Sequence, residues 1–226
     1  MRQNTDNEHS NIQNSCQQCG ICCTKGGAAL HSEDLRLLQD RKILRSDCIT
    51  LRKGEFAHNP VTEKIEAIST DIIKLRGTGG EWVCCYFDSN KNSCGIYENR
   101  PVACRTLKCW DPKNSLDIAG KDLLSRETIL QDEKQLFELV LQYEKEVPLP
   151  DFNELSKKNK NTEEKIVRML ESMINRDLAF RDKQVRLSEK VAKEELFLFG
   201  RPLFQLVQPF GLNVFQQGDR LCLRVN

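Results

Sequence analysis

Residues 16–23 read Cys16-Gln17-Gln18-Cys19-Gly20-Ile21-Cys22-Cys23, three thiols at C-x2-C-x2-C spacing with a fourth directly after. A two-residue gap lets a tight loop aim successive sulfurs at one ion about 2.3 Å away, and a glycine in the loop removes the Cβ that would obstruct the turn. Side chains of adjacent residues diverge, so Cys22 and Cys23 are expected to serve different ions or to bridge two. A chain that begins this way is expected to fold around ligands, with short elements and many loops.

Working outward, the next thiols come at residues 84–109, CCYFDSNKNSCGIYENRPVACRTLKC. Pro101 suits the first position of a short helix, where its missing N–H costs nothing. Cys104 then falls in the opening turn, where backbone N–H groups favour a thiolate over a thiol. Arg100, Arg105 and Lys108 flank it, placed either to offset the negative charge of a thiolate site and orient its sulfurs, or as ordinary surface charge. The chain has 11 cysteines, an odd number. Disulfides would need an oxidising compartment, and an adjacent pair such as Cys22-Cys23 cannot form an unstrained bridge. The clusters therefore read as metal sites, whereas Cys48 and Cys222, with no companion thiol at ligand spacing, read as small core hydrophobes.

Cys16-x2-Cys19-x2-Cys22-Cys23, together with Cys94-x-Ile96-Tyr97-x2-Arg100-Pro101-x2-Cys104-Arg105, resembles the zinc- or iron-chelating CxxCxxCC domain, also called the YkgJ-like cysteine cluster family. Cys85-Tyr86-Phe87 fits that family's habit of a cysteine followed by aromatics, which makes Cys84 an extra thiol. The resemblance covers roughly residues 16–109 and implies metal chelation by Cys16, Cys19, Cys22, Cys23, Cys85, Cys94, Cys104 and Cys109, in one compact centre or two adjacent ones. The cofactor it implies is zinc or iron, the latter including an iron–sulfur cluster. Spacing leaves the metal open. The x3-Cys-Pro completion of bacterial ferredoxins is missing, and Gly26 stands where a radical-type C-x3-C-x2-C run would need its third cysteine. Cys104-x4-Cys109 and Cys16-x2-Cys19 both suit zinc knuckles.

Around these clusters the sequence divides into a polar tail at 1–15, a cysteine-cluster domain at 16–120, and a helical region at 121–226. Ser32 is the expected N-cap of a helix with Glu33 and Asp34 in its first turn and Leu35 and Leu38 facing inward. Ile72 and Ile73 open a strand, and Gly77-Thr78-Gly79-Gly80 supplies a turn before Trp82-Val83, so that a hairpin delivers Cys84 and Cys85. Ile129, Leu136, Val140 and Tyr143, then Ile166, Met169, Leu170 and Met173, follow helical spacing on either side of Pro148 and Pro150. Leu221, Leu223 and Val225 alternate with Arg220, Cys222 and Arg224 after Gly218-Asp219, a terminal hairpin. Five phenylalanines from Phe197 to Phe215 are expected to pin that hairpin to the helices. The fold class is α+β: a small metal-stapled, loop-rich domain followed by a mainly helical segment and a β-hairpin.

The remaining composition narrows the function. A net charge of +1 from 34 basic and 33 acidic residues gives no electrostatic footprint for nucleic acid or membrane. No apolar run approaches membrane length and residues 1–15 lack an export signal, so a cytoplasmic protein with reduced thiols is expected. His9, His31 and His58 form no catalytic or metal pair by spacing and read as surface or turn residues. Walker-type loops, dinucleotide fingerprints and serine elbows are missing. The first reading is a metal-binding cysteine-cluster protein. The alternatives are an iron–sulfur oxidoreductase or protein-modifying enzyme, with Cys84 as its spare reactive thiol, and a structural zinc module that presents its helices to an unidentified protein partner.

Overall fold

The computed structural model describes residues 13–14, 16–79, 82–156 and 163–225. The expected tail at 1–15 therefore lies outside the described residues except for Gln13 and Asn14. In chain order the helices are α1 (Ile21–Thr24), α2 (Leu35–Gln39), α3 (Val102–Thr106), α4 (Lys113–Ile118), α5 (Arg126–Ile129), α6 (Lys134–Glu146), α7 (Phe152–Ser156), α8 (Glu163–Leu187), α9 (Glu189–Phe199) and α10 (Leu203–Val207). The strands are β1 (Cys48–Leu51), β2 (Phe56–Asn59), β3 (Lys64–Ala67), β4 (Ile72–Leu75), β5 (Gly77–Thr78), β6 (Val83–Cys84), β7 (Phe87–Asp88), β8 (Ser93–Cys94), β9 (Leu212–Gln217) and β10 (Arg220–Val225). They pair antiparallel as β1–β4, β2–β3, β5–β6, β7–β8 and β9–β10, an α+β arrangement of small ribbons among helices.

Thiol-bearing segments occupy the short elements, and the long helices supply the platform beneath them. Pattern explains the platform. Val140 and Tyr143 on α6, Leu170 and Ile174 on α8, and Val191, Phe197, Leu198 and Phe199 on α9 are buried at helical spacing. Their partners on the other side are Leu30, Ile43, Cys48, Ile73, Leu75 and Cys84, all in the same apolar cluster. The core is thus continuous across residue 120, and the cysteine-bearing half is not short of apolar packing. Thr50 on β1 fixes the junction by donating to the Phe197 carbonyl at 2.6 Å. On α8, Asp177 and Arg181 are both buried: Asp177 accepts from the Tyr143 hydroxyl and from Arg181, and its other oxygen accepts the Leu203 N–H.

A second buried charge network crosses the same junction. Arg126 donates to Asp71 at 2.5 Å, to Glu144 at 2.7 Å and to the Leu198 carbonyl at 2.7 Å. Arg52 donates to both oxygens of Glu144 and to the Val147 carbonyl, with its guanidinium over the Tyr143 ring. Each charge is offset by a partner and by carbonyls, which is what makes burial of guanidinium groups tolerable.

The expected terminal hairpin forms, with Leu223 opposite Val214 and Cys222 opposite Phe215. Glu171 and Asn175 of α8 tie it down through the Leu223 and Leu221 backbone N–H groups. Phe197 and Phe199 enter the core as expected, whereas Phe215 is exposed beside Arg224. The helix expected to start at Ser32 is capped one residue earlier. His31 is the N-cap, buried, its backbone N–H donating to the Asp34 carboxylate and its ring nitrogen meeting the Lys121 carbonyl at 2.9 Å. A histidine read as a surface residue is therefore a structural one.

Candidate metal centre

The first cysteine loop is held by a glycine. Gly20 has φ +75, the left-handed conformation, and a Cβ there would lie 2.3 Å from the Phe87 ring. Its carbonyl accepts from the Cys23 and Thr24 N–H groups, starting α1 with Cys22 and Cys23 inside it. Phe87 belongs to β7 and pairs with Cys94 of β8. One ring thus lies under the CQQCGICC loop and beside the second cysteine segment, and this contact joins the two.

The expected hairpin exists as β5–β6, pairing Gly77 with Cys84. Successive residues of an extended strand point opposite ways. Cys84 is buried, whereas Cys85 turns toward Asp47, its thiol donating to the Asp47 carbonyl at 3.7 Å. Tyr86 locks that orientation through a 2.6 Å bond from its hydroxyl to the Asp47 carboxylate. Cys104 is the third residue of α3, and Pro101 is that helix's N-cap. The position of α3 is set from a distance. The buried Asp34 carboxylate accepts the Val102 N–H at 2.9 Å with one oxygen and the His31 N–H at 2.9 Å with the other.

Charge on Cys22, Cys84, Cys94 and Cys104, one thiol from each of four pieces of chain, is felt by the others of the set, and Cys23 feels Cys22, Cys84 and Cys94 as well. Burial pushes the Cys104 thiol up to about 12, and negative charge on Cys84, Cys94 and Cys22 adds to the shift. Cys94 is raised by burial and by Cys84 and Cys22, and Cys84 in turn feels Cys22. Every pair among the four is therefore within electrostatic reach. The adjacent cysteines divide their labour. The Cys22 and Cys23 sulfurs lie 3.9 Å apart, either able to donate, and hydrogen bonding within each adjacent pair brings Cys22 down to about 6 and Cys84 to about 7. Cys23 and Cys85 are correspondingly pushed well above the thiol range, each by the hydrogen bond to its neighbour and then by burial.

Cys16, Cys19 and Cys109 are exposed and stand apart from this group. Gln13 Nε2 donates to the Cys109 sulfur at 3.6 Å, which brings the chain just before Cys16 against the loop after α3. Among the described residues no three His, Cys, Asp or Glu side chains converge into a ready-made metal set. The donor chemistry nonetheless fits a thiophilic ion: soft sulfurs gathered from separate segments are what zinc or iron binds as thiolates. Arg100 acts on Cys22, Cys94 and Cys104 while its guanidinium stacks on Tyr97. Arg105, the other arginine expected to offset charge, is half exposed and lies 3.9 Å from Glu33. Cys48 is buried in the core and Cys222 donates to Gln217 on the hairpin, both away from the group.

Sequence reasoning missed Asp34, Asp47, Lys74 and Arg76. Only Lys74 left a signal, as a lysine inside the otherwise apolar run Ile72-Ile73-Lys74-Leu75.

A cysteine-rich module built on a shared core, with its thiols gathered from separate loops, defines a class of chelating domain. Residues 15–129, half of the chain, match the family model of the CxxCxxCC domain, described as zinc- or iron-chelating, and the chain belongs to that family. No curated protein and no solved structure matches it. Among the described residues no helix is long and apolar enough to cross a membrane.

Proposed function

We propose that this chain is a metal-binding protein whose inner site is Cys22, Cys84, Cys94 and Cys104, holding one zinc or iron centre as thiolates. The observation that carries the reading is that the CQQCGICC loop and the second cysteine segment meet across the Phe87 ring, in a chain that belongs to a chelating family. Cys84 replaces Cys85 in the ligand set expected from sequence, since β6 turns Cys84 inward and Cys85 toward Asp47. Cys16, Cys19 and Cys109, which are exposed, and the half-buried Cys23 form the second set. Bound zinc would cross-link the loops; bound iron would add reversible electron transfer. The protein's own part is to hold sulfurs from distant segments with Phe87, Asp34 and Tyr86, and to supply cationic neighbours.

Anaerobic purification followed by metal analysis and a visible spectrum tests this directly. Bound metal that is lost on Cys22→Ser or Cys104→Ser supports it, with colour separating an iron–sulfur centre from colourless zinc. A chain that binds neither metal under reducing conditions refutes it.

A further inference from the structure

Lys74 occupies a strand whose neighbours belong to the core. Ile73 and Leu75 are buried on one side of β4, so the lysine side chain runs the other way, toward the cysteine segments. A Cβ on Gly26 would stand 3.3 Å from the Lys74 Nζ. Gly26, at φ +102, closes the turn that follows the CQQCGICC loop and α1. The same Cβ would stand 3.8 Å from the carbonyl oxygen of Trp82, two residues before Cys84. The ammonium therefore lies between the two thiol-bearing stretches of the chain.

Among the described residues no carboxylate pairs with this ammonium and no hydrogen bond leaves it. Its pKa is lowered, by burial first and then by the Arg201 guanidinium, with the Cys84 sulfur acting in the opposite direction. Arg201 is already committed to Glu55, at 2.7 Å, and cannot serve as its partner. Cys85, the other thiol of the adjacent pair, has its own cation in Arg76. The Arg76 Nε is buried without an acceptor, and its Nη2 is 3.9 Å from Asp47. A buried donor left without a partner in a folded protein calls for a missing counter-group.

We propose that Lys74 is a positioning residue of the metal site, its ammonium supplying the counter-charge that holds the Cys84 thiolate toward the bound ion, with Arg76 serving the Cys85 side. The inference rests on the metal-binding reading above. Thiolates gathered around a divalent cation leave excess negative charge, and a cation fixed by a strand offsets it without the entropy cost of ordering a surface side chain.

The full chain, loaded with zinc under anaerobic conditions, is titrated with a chromophoric chelator. Lys74→Gln is expected to release zinc about tenfold more readily than the wild type. Its zinc-free form should keep the wild-type urea midpoint, and Lys74→Arg should restore retention. If the glutamine variant fails to fold, Lys74→Met, which keeps the apolar stem, takes its place and should show the same loss. Equal zinc retention by the uncharged variant and the wild type overturns the role of Lys74 while leaving the metal reading intact. Equal loss by Lys74→Arg assigns the effect to packing and also overturns it. A wild-type chain that takes up no zinc removes both readings together.

Discussion

Replacing Asp34 by alanine should damage both stability and the thiol site, although Asp34 is no candidate ligand. Its carboxylate is buried and accepts two backbone N–H groups, from His31 and from Val102, each at 2.9 Å. Alanine leaves both donors without an acceptor in a closed environment. At about 1–3 kcal/mol for each such group, the expected loss is about 4 kcal/mol, a large share of the roughly 5–15 kcal/mol that stabilises a domain. The two bonds act on different things. The His31 bond caps the turn leading into α2, and the Val102 bond sets the start of α3, which carries Cys104 two residues on. Urea unfolding of the zinc-free protein reads the first effect and chelator competition reads the second, where a fall of about 10–100-fold in zinc affinity is expected. Asp34→Asn should fall between, since its amide can accept one N–H while its own N–H faces the other donor. A stability loss below about 1 kcal/mol, within the spread of unremarkable substitutions, together with unchanged competition, would refute the claim that Asp34 positions Cys104.

Other outcomes follow from the same geometry. Cys84→Ser should abolish binding at the inner site while Cys85→Ser retains the metal, and metal analysis of the two purified variants would reverse the assignment if the losses were exchanged. Changing Cys48 and Cys222 together to serine should leave metal stoichiometry unaltered, with a stability loss traceable to the buried Cys48 alone; loss of metal from this double variant would count against the ligand set. Chelation of the loaded protein should speed hydrogen exchange in the loops around α1, β6 to β8 and α3, while the β1–β4 pairs and α9 stay protected through their shared core; uniform protection after verified metal removal would show that metal contributes little to the fold. Glu133 is mostly solvated, and bonds from Arg45 and Lys190 outweigh the cost of its burial and hold its carboxyl below the usual range. Its contribution to stability is therefore fully present above the ordinary carboxylate pKa and lost as pH falls from there through the depressed folded-state value. Glu133→Gln should flatten the acid limb of the urea midpoint against pH, and an unchanged limb would place that pH dependence elsewhere.

Much of this was legible from local rules. Helical spacing located Val140, Tyr143 and Leu170, alternation located the terminal hairpin, and turn residues located the ribbon that carries Cys84. The choice between Cys84 and Cys85 was not legible, because it depends on which face of β6 meets the core, and the Tyr86–Asp47 bond that locks it spans 39 residues. Asp34 was readable only as an acidic residue in a first turn, since its second partner lies 68 residues away. Lys74 stood out by type, but its neighbours at Gly26 and Cys84 come from other loops. Residue 120 suggested a boundary because the cysteines thin out there. Apolar packing follows different residues and crosses it, through Leu30, Ile73 and Leu75 on one side and Phe197 and Phe199 on the other.

The Arg52–Glu144–Arg126–Asp71 chain of charges bears on how portable the chelating segment is. The family match ends at residue 129, past Arg52, Asp71 and Arg126 but short of Glu144. Cut there, the segment would carry its thiols intact yet leave Arg52 without its carboxylate partner and Arg126 with Asp71 alone, and it would expose the apolar face that α6 and α9 now cover. The cassette defined by its cysteines and the unit able to stand in water are thus different lengths of chain. In this protein, the residues that make the chelator transplantable lie beyond the motif by which it is recognised.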